Sequence, residues 1–267
     1  MYRISQPFGQ EMLSYGPLMY RAIASGVGGD NLKIVRKVCE NTDVDTATAP
    51  EDVWGGGGLY TGFPADSVTP EKFAVFSSSA NDTAAGTGAR TVLITGLDSS
   101  YNEISETITL NGVTPVLTAN TYRRFVRAQV LTSDGTPTNS AFNAGTITIR
   151  YQTTTAYVFS VMPAGYNNTR EGNYTIPAGY SALLMKIDAY VNLASSAVVY
   201  GEFYIRPFGV SPRLSRPFVA SDSLQFTAEL TGGLLLSEKT DIIPRVMSSS
   251  ANNVPIYCVY ELLLFKP

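Results

Sequence analysis

Hydrophobic and polar positions alternate along most of this chain with the two-residue period of strands, in short runs separated by turn residues. The clearest run is Glu103 to Leu110, where Ile104, Ile108 and Leu110 fall on one face and Glu103, Ser105, Thr107 and Thr109 on the other. That predicts a strand with one wet face. Ala89 to Thr95 is β-branched and alternates loosely, and Gly96 to Asn102 joins the two runs with residues that tolerate turn geometry. Further strands are predicted near 73–78, 90–95, 122–132 and 146–152, with a long turn over 133–140. Residues 153–172 read as a connector containing an apolar strand, Tyr157 to Met162. The pattern then restarts with an extended run over 174–180 and strands at 183–192, 197–207, 224–230, 234–236, 242–248 and 255–265. Short strands with turn signals every ~8–12 residues mark sandwiches and barrels. The predicted fold class is all-β, with antiparallel β-sandwich domains, the C-terminal one jelly-roll-like, and an extended N-terminal arm.

Three regions follow: an arm and first strand (1–50), a middle sandwich-like domain (51–172) and a C-terminal jelly-roll-like domain (173–267). The first 30 residues are rich in Met, Leu and Tyr, but Gly16, Pro17 and the Gly26 to Gly29 run keep any helix short. Such a segment suits an arm lying on another surface, with Tyr15, Met19 and Tyr20 as contacts; a disordered terminus is the other reading. Asn31 to Cys39 alternates imperfectly and reads as a strand.

Composition narrows the function. The chain of 267 residues has 22 acidic against 19 basic side chains, which gives no overall pull toward nucleic acid. Only 15% of its residues are charged, below the roughly 25% usual for soluble domains. Histidine is absent, which removes Ser-His-Asp and Cys-His catalysis and most zinc sites. Two cysteines, Cys39 and Cys258, make no disulfide framework and read as buried free thiols, although each lies toward one end of the chain and the two can meet in space. No secretion signal is read at the start, and no apolar run approaches the ~18–20 residues of a membrane-spanning helix.

Candidate chemistry is sparse. Val53 to Tyr60 carries the only tryptophan, Trp54, beside four glycines, but it lacks the Lys-Ser/Thr of a phosphate loop and reads as a turn. Asp98, Asn102 and Glu103 offer oxygen ligands for calcium, yet their spacing matches no defined loop, and a turn held by its own side chains accounts for them. Glu202 and Glu229 are a possible carboxylate pair or two solvated strand residues. Arg123, Arg124 and Arg127 split across two strand faces, which favours ion pairing over phosphate binding. Two Arg-Pro-Phe triplets bracket a proline-kinked loop from Arg206 to Phe218. Arg206, Phe208, Arg213, Arg216 and Phe218, together with Trp54, have the Arg and aromatic character of interface anchors. No catalytic, cofactor or metal residue is assigned, and the chain reads as a non-enzyme.

Four blocks carry a resemblance: SSSANDTAAGTGARTV with GLDSSYNEISETITLNGVTPV in the middle, then NYTIPAGYSALLMKIDAYVN at 173–192 and LLLSEKTDIIPRVMSSSANN at 234–253. They resemble a virion structural protein family of tailed bacteriophages, marine ones especially, and the resemblance covers roughly residues 50–265 in scattered blocks. The resemblance implies a structural, decoration or tail-associated protein in the virion, assembled in the host cytoplasm. It implies contacts with the major capsid protein or other virion proteins and, by analogy with other β-proteins on icosahedral lattices, a homotrimer. A tail, fibre or adaptor component and a host-glycan-binding module are the alternatives. Sixteen tyrosines and one tryptophan suit sugar stacking or a buried β-core equally well.

Overall fold

A computed structural model describes residues 31–134, 142–191, 197–221 and 225–267. The arm with Tyr15, Met19 and Tyr20, and most of the 133–140 turn, lie outside the described residues. In chain order the strands are β1 (Leu32–Val44), β2 (Glu51–Asp52), β3 (Glu71–Ser77), β4 (Thr91–Leu97), β5 (Glu103–Thr109), β6 (Val116–Tyr122), β7 (Arg124–Thr132) and β8 (Ile147–Tyr151). They continue with β9 (Val158–Met162), β10 (Tyr174–Thr175), β11 (Ser181–Val191), β12 (Val198–Arg206), β13 (Arg213–Ser221), β14 (Phe226–Leu236), β15 (Asp241–Ser249) and β16 (Val254–Phe265). The protein is all-β, and every strand pairing is antiparallel. Among the described residues no helix is long and apolar enough to cross a membrane.

Two sheets, ordered β1-β16-β11-β14 (sheet A) and β10-β15-β12-β13 (sheet B), face each other. Their pairings nest: β1 with β16, β2 and β10 with β15, β11 with β14, and β12 with β13. The chain is therefore one long hairpin rolled up so that successive pairs fall alternately in the two sheets. Alternate residues of each strand point inward, and Cys39, Ile187, Phe203, Phe218, Val246 and Tyr260 meet in one buried core. Burying each such large apolar side chain contributes about 1.5–3 kcal/mol. Cys39 and Cys258 sit directly opposite each other on β1 and β16. Both are buried free thiols, and Cys39 Sγ donates to the carbonyl of Cys258 at 3.1 Å.

The rolled sandwich is interrupted between β2 and β10. There the chain leaves to build a second pair of sheets, β6-β3-β8-β9 (sheet C) and β5-β4-β7 (sheet D). Their core contains Phe73 stacked on Tyr122 at 4.5 Å, with Phe159 4.7 Å away and Ile94, Ile147 and Ile149 around them. Val53 N donates to Pro244 O on β15, and Gly172 N donates to Val53 O, both at 2.9 Å. The excursion thus begins and ends at one spot. The 1–50 region read as an arm with a first strand contributes β1 as an edge strand of sheet A, paired along its length with β16.

Several boundaries differ from the sequence reading. The strand expected over 122–132 is β7, which begins at Arg124; Tyr122 instead ends β6 in sheet C, with a break at Arg123. The two runs 224–230 and 234–236 are parts of one strand, β14. The proline-kinked loop expected over 206–218 is short: Pro207 to Pro212 turns, and Arg213 onward is β13. Pro217 is tolerated there because β13 is an edge strand and because Arg216, at φ +59°, forms a bulge between the Gly201–Phe218 and Phe203–Ser215 pairs.

Candidate functional site

The two sandwiches meet at a buried ionic joint. Asp241 opens β15, Arg124 opens β7 and Arg206 closes β12, so three strand ends converge. Arg124 is 1% exposed. Its Nε donates to Asp241 Oδ1 at 2.9 Å and its Nη2 to Oδ2 at 3.3 Å. Arg206 Nε donates to Oδ2 at 2.9 Å, and Thr175 Oγ1 donates to Oδ1 at 2.6 Å. The remaining guanidinium donors of Arg206 reach the carbonyls of Phe63 and Pro64 at 2.9 and 3.2 Å. Asp66 Oδ1 accepts from the Tyr101 hydroxyl, and both guanidinium groups lie over the Phe63 ring. Both oxygens of Asp241 are bonded to a cation or a hydroxyl. The arrangement locks elements together. Among the described residues no group of three or more His, Cys, Asp or Glu side chains is placed to hold a metal.

A second buried acid, Glu171, lies at the return of the excursion. Its Oε1 accepts from Ser160 Oγ at 2.8 Å and Val161 N at 3.0 Å, and its Oε2 from Gly55 N at 3.0 Å. Burial raises its pKa above the usual carboxylate range, against the pull of those donors. Nearby Lys37 is 8% exposed, and its Nζ donates to Val126 O at 2.8 Å.

Burial lowers the Lys37 pKa from 10.5 to about 8. Between those values the unfolded chain binds more protons than the folded one, so this group's penalty is full below pH 8 and fades as pH rises toward 10.5. The stability of the wild type relative to Lys37→Met is expected to increase across that window, by on the order of 3 kcal/mol. Urea denaturation of both proteins at stepped pH checks it; a flat difference would mean that the ammonium is as well solvated folded as unfolded.

The residues singled out from sequence scatter. Trp54 is 4% exposed: its Nε1 donates to Gly58 O at 3.1 Å, Tyr60 meets it edge-on, and its ring lies against Gly56, where a Cβ would come within 2.3 Å of it. It is a core residue of the protomer, which accounts for both the tryptophan and the glycine beside it. Phe218 is also core, 1% exposed, and fills the space left by Gly201, where a Cβ would lie 2.2 Å from its Cζ. Arg206 belongs to the internal joint described above. Phe208 is 48% exposed, edge-on to Tyr101 and beneath Lys239. Arg213 is exposed, and Arg216 is half-buried on the bulge. Tyr15, Met19 and Tyr20 lie outside the described residues.

The other sequence candidates resolve simply. Asp98 Oδ1 accepts from Ser100 N and Asn102 N at 2.8 and 2.9 Å, which is a self-bonded turn. Glu202 and Glu229 stand on opposed sheets, on β12 and β14, with Glu229 exposed and the Tyr200 hydroxyl donating to Glu202. Of the three arginines, Arg127 is exposed, while Arg124 forms a buried pair where a surface one was expected. Sequence reasoning missed Asp241 altogether: it lies in DIIPRV, a run with no motif, and its partners are 35, 66 and 117 residues away.

Fold and joint together define an all-β sandwich protein with an inserted second sandwich. No protein-family model matches the chain, and no curated protein does. Among solved structures, one of the infectious bursal disease virus Gt strain aligns over 88% of this chain and 72% of its own, at 10% identity and a TM-score of 0.24. One of T=1 particles derived from infectious bursal virus aligns over 89% and 71%, at 11% identity and a TM-score of 0.20. These scores lie below those of chains sharing one fold.

Proposed function

We propose that this chain is a non-enzymatic structural protein of a virus particle. In its finer form, the reading is a decoration or cement protein that holds the head of a tailed bacteriophage together as a homotrimer, after assembly in the host cytoplasm. The observation that carries the reading is the β12–β13 hairpin. Val198, Tyr200, Phe208, Val210, Leu214 and Val219 are all exposed on it, with Tyr200 directly opposite Val219. The far edge of β13 has no ladder partner among the described residues. An apolar hairpin with a free edge is a surface that natural proteins either protect or use for association. The nested pairing of the nine-strand sandwich suits a jelly-roll reading, an architecture that also builds capsid and lectin domains. The four sequence blocks resembling phage virion proteins point the same way.

Copy number tests the reading. Quantitative mass spectrometry of purified virions against the major capsid protein is expected to give hundreds of copies per particle. A count of about a dozen or fewer, as at a tail or a single vertex, would move the protein to a tail, fibre or adaptor role. Absence from virions would end the structural reading. Val219→Glu on the hairpin is expected to convert a trimer seen by native mass spectrometry into monomer, with the fold unchanged by circular dichroism.

A further inference from the structure

A cleft of about 530 Å³ opens where the free edge of β1 faces β7 and the segment 167–170. It is lined by four cationic side chains, Arg36, Lys37, Arg127 and Arg170. Arg170 is neutralised by Glu40 at 2.7 Å, and Arg36 reaches Glu261 only at 3.9 Å. Lys37 and Arg127 form no ion pair among the described residues. Lys37 is the unusual member. Its ammonium is nine-tenths buried and has one hydrogen bond, to Val126 O, so two of its three donors have no partner among the described residues. Buried Glu171 attracts it more strongly than Arg127 repels it, but its desolvation outweighs both. Desolvation of the ammonium is the largest cost at this position, and an anion bound at its two unfilled donors would offset it.

The rest of the lining is suited to hydroxyl groups. Gln129, Asn167 and Asn168 bring amides, which both donate and accept, and Tyr190 and Tyr257 lie stacked 5.0 Å apart at 9°. We propose that this cleft binds an acidic sugar of the uronate class. Its carboxylate sits between Lys37 and Arg127, its ring hydroxyls meet the amides, and its ring lies along the tyrosine pair. A polyphosphate chain fits the cleft less well, because Glu40 and Glu261 border the cations that would have to follow a backbone. An acidic peptide shares the carboxylate but makes no use of the amide cluster.

Calorimetric titration of the full chain tests this with a glucuronate or galacturonate oligosaccharide. A neutral glucose oligosaccharide, a single-stranded oligonucleotide and a Glu-rich peptide serve as comparisons. The acidic oligosaccharide is expected to bind saturably and more weakly as salt rises, and the neutral one not at all. Arg127→Ala, at an exposed position that leaves the fold intact, is expected to weaken binding about tenfold or more, the loss of one charge-assisted hydrogen bond. Lys37→Met, checked by circular dichroism, is expected to lose binding while remaining folded. Equal binding of the neutral sugar, unchanged affinity in Arg127→Ala, tighter binding of the oligonucleotide or peptide, or no heat at millimolar sugar would each overturn the proposal.

Discussion

Asp241→Ala is expected to cost the protein about 3–5 kcal/mol of stability, the usual penalty for removing one partner of a buried ion pair. The loss has a specific origin. Arg124 is buried on both sides of the joint, and without Asp241 its Nε keeps no acceptor, while Asp66 is reached only at 3.4 Å. Arg206 is partly exposed and keeps the Phe63 and Pro64 carbonyls, so it suffers less. Thr175 also loses the acceptor that ties β10 to β15. Urea denaturation of the two proteins measures the effect. A second variant, Asp241→Ala with Arg124→Met, is expected to recover part of it, because an apolar side chain of similar length no longer strands a charge. If the single variant lost less than about 1 kcal/mol, water would have to reach Arg124, and the joint would not be a lock.

Asp82→Ala is expected to have a comparable effect in the inserted sandwich. Asp82 is fully buried, and its two oxygens accept from Ala89 N and Ala144 N at 2.7 Å, Gly145 N at 2.9 Å and the Ser77 hydroxyl. One carboxylate therefore fastens the Ser77 to Ala89 loop to the start of the strand at 147. Removing it strands three backbone donors. Each buried unsatisfied donor costs about 1–3 kcal/mol, and with partial relaxation the sum is on the order of 3–5 kcal/mol. Hydrogen exchange gives a local signature besides the global one: the amides of Ala89, Ala144 and Gly145 should lose protection ahead of the Phe73 core. Unchanged exchange at all three would mean that another acceptor replaces Asp82.

Strands with one wet face were legible in the sequence, as in Glu103 to Thr109, because exposure alternates there with the same period as the residues. The β6 strand was not, since four of its seven residues are exposed and Val116 to Tyr122 carries no alternation to read. β13 was hidden by Pro217, whose cost in a strand vanishes at an edge bulge. Strict alternation put Arg124 and Arg127 on opposite faces, but a bulge at Val126 brings them to the same face of β7, beside Leu97 and Thr95. Nor could alternation say that Arg124 meets another sheet, whose Asp241 arrives 117 residues later. Trp54 and Phe218 looked like contact residues because of their type. What decides their burial is the glycine each one packs on, Gly56 and Gly201, and the second of those pairings is made across strands.

The rolled hairpin also sets an order of events during synthesis. β1 and β2 are the first strands described, yet their partners are β16 and β15, so Leu32 must wait for Phe265 and Asp52 for Arg245. The strands of the inserted unit, by contrast, all lie between Glu71 and Met162. As the chain emerges from the ribosome, the inserted unit is complete while the sandwich that carries it is still two unpaired ribbons. The guest can fold before its host, and the host closes in one late, long-range step around it.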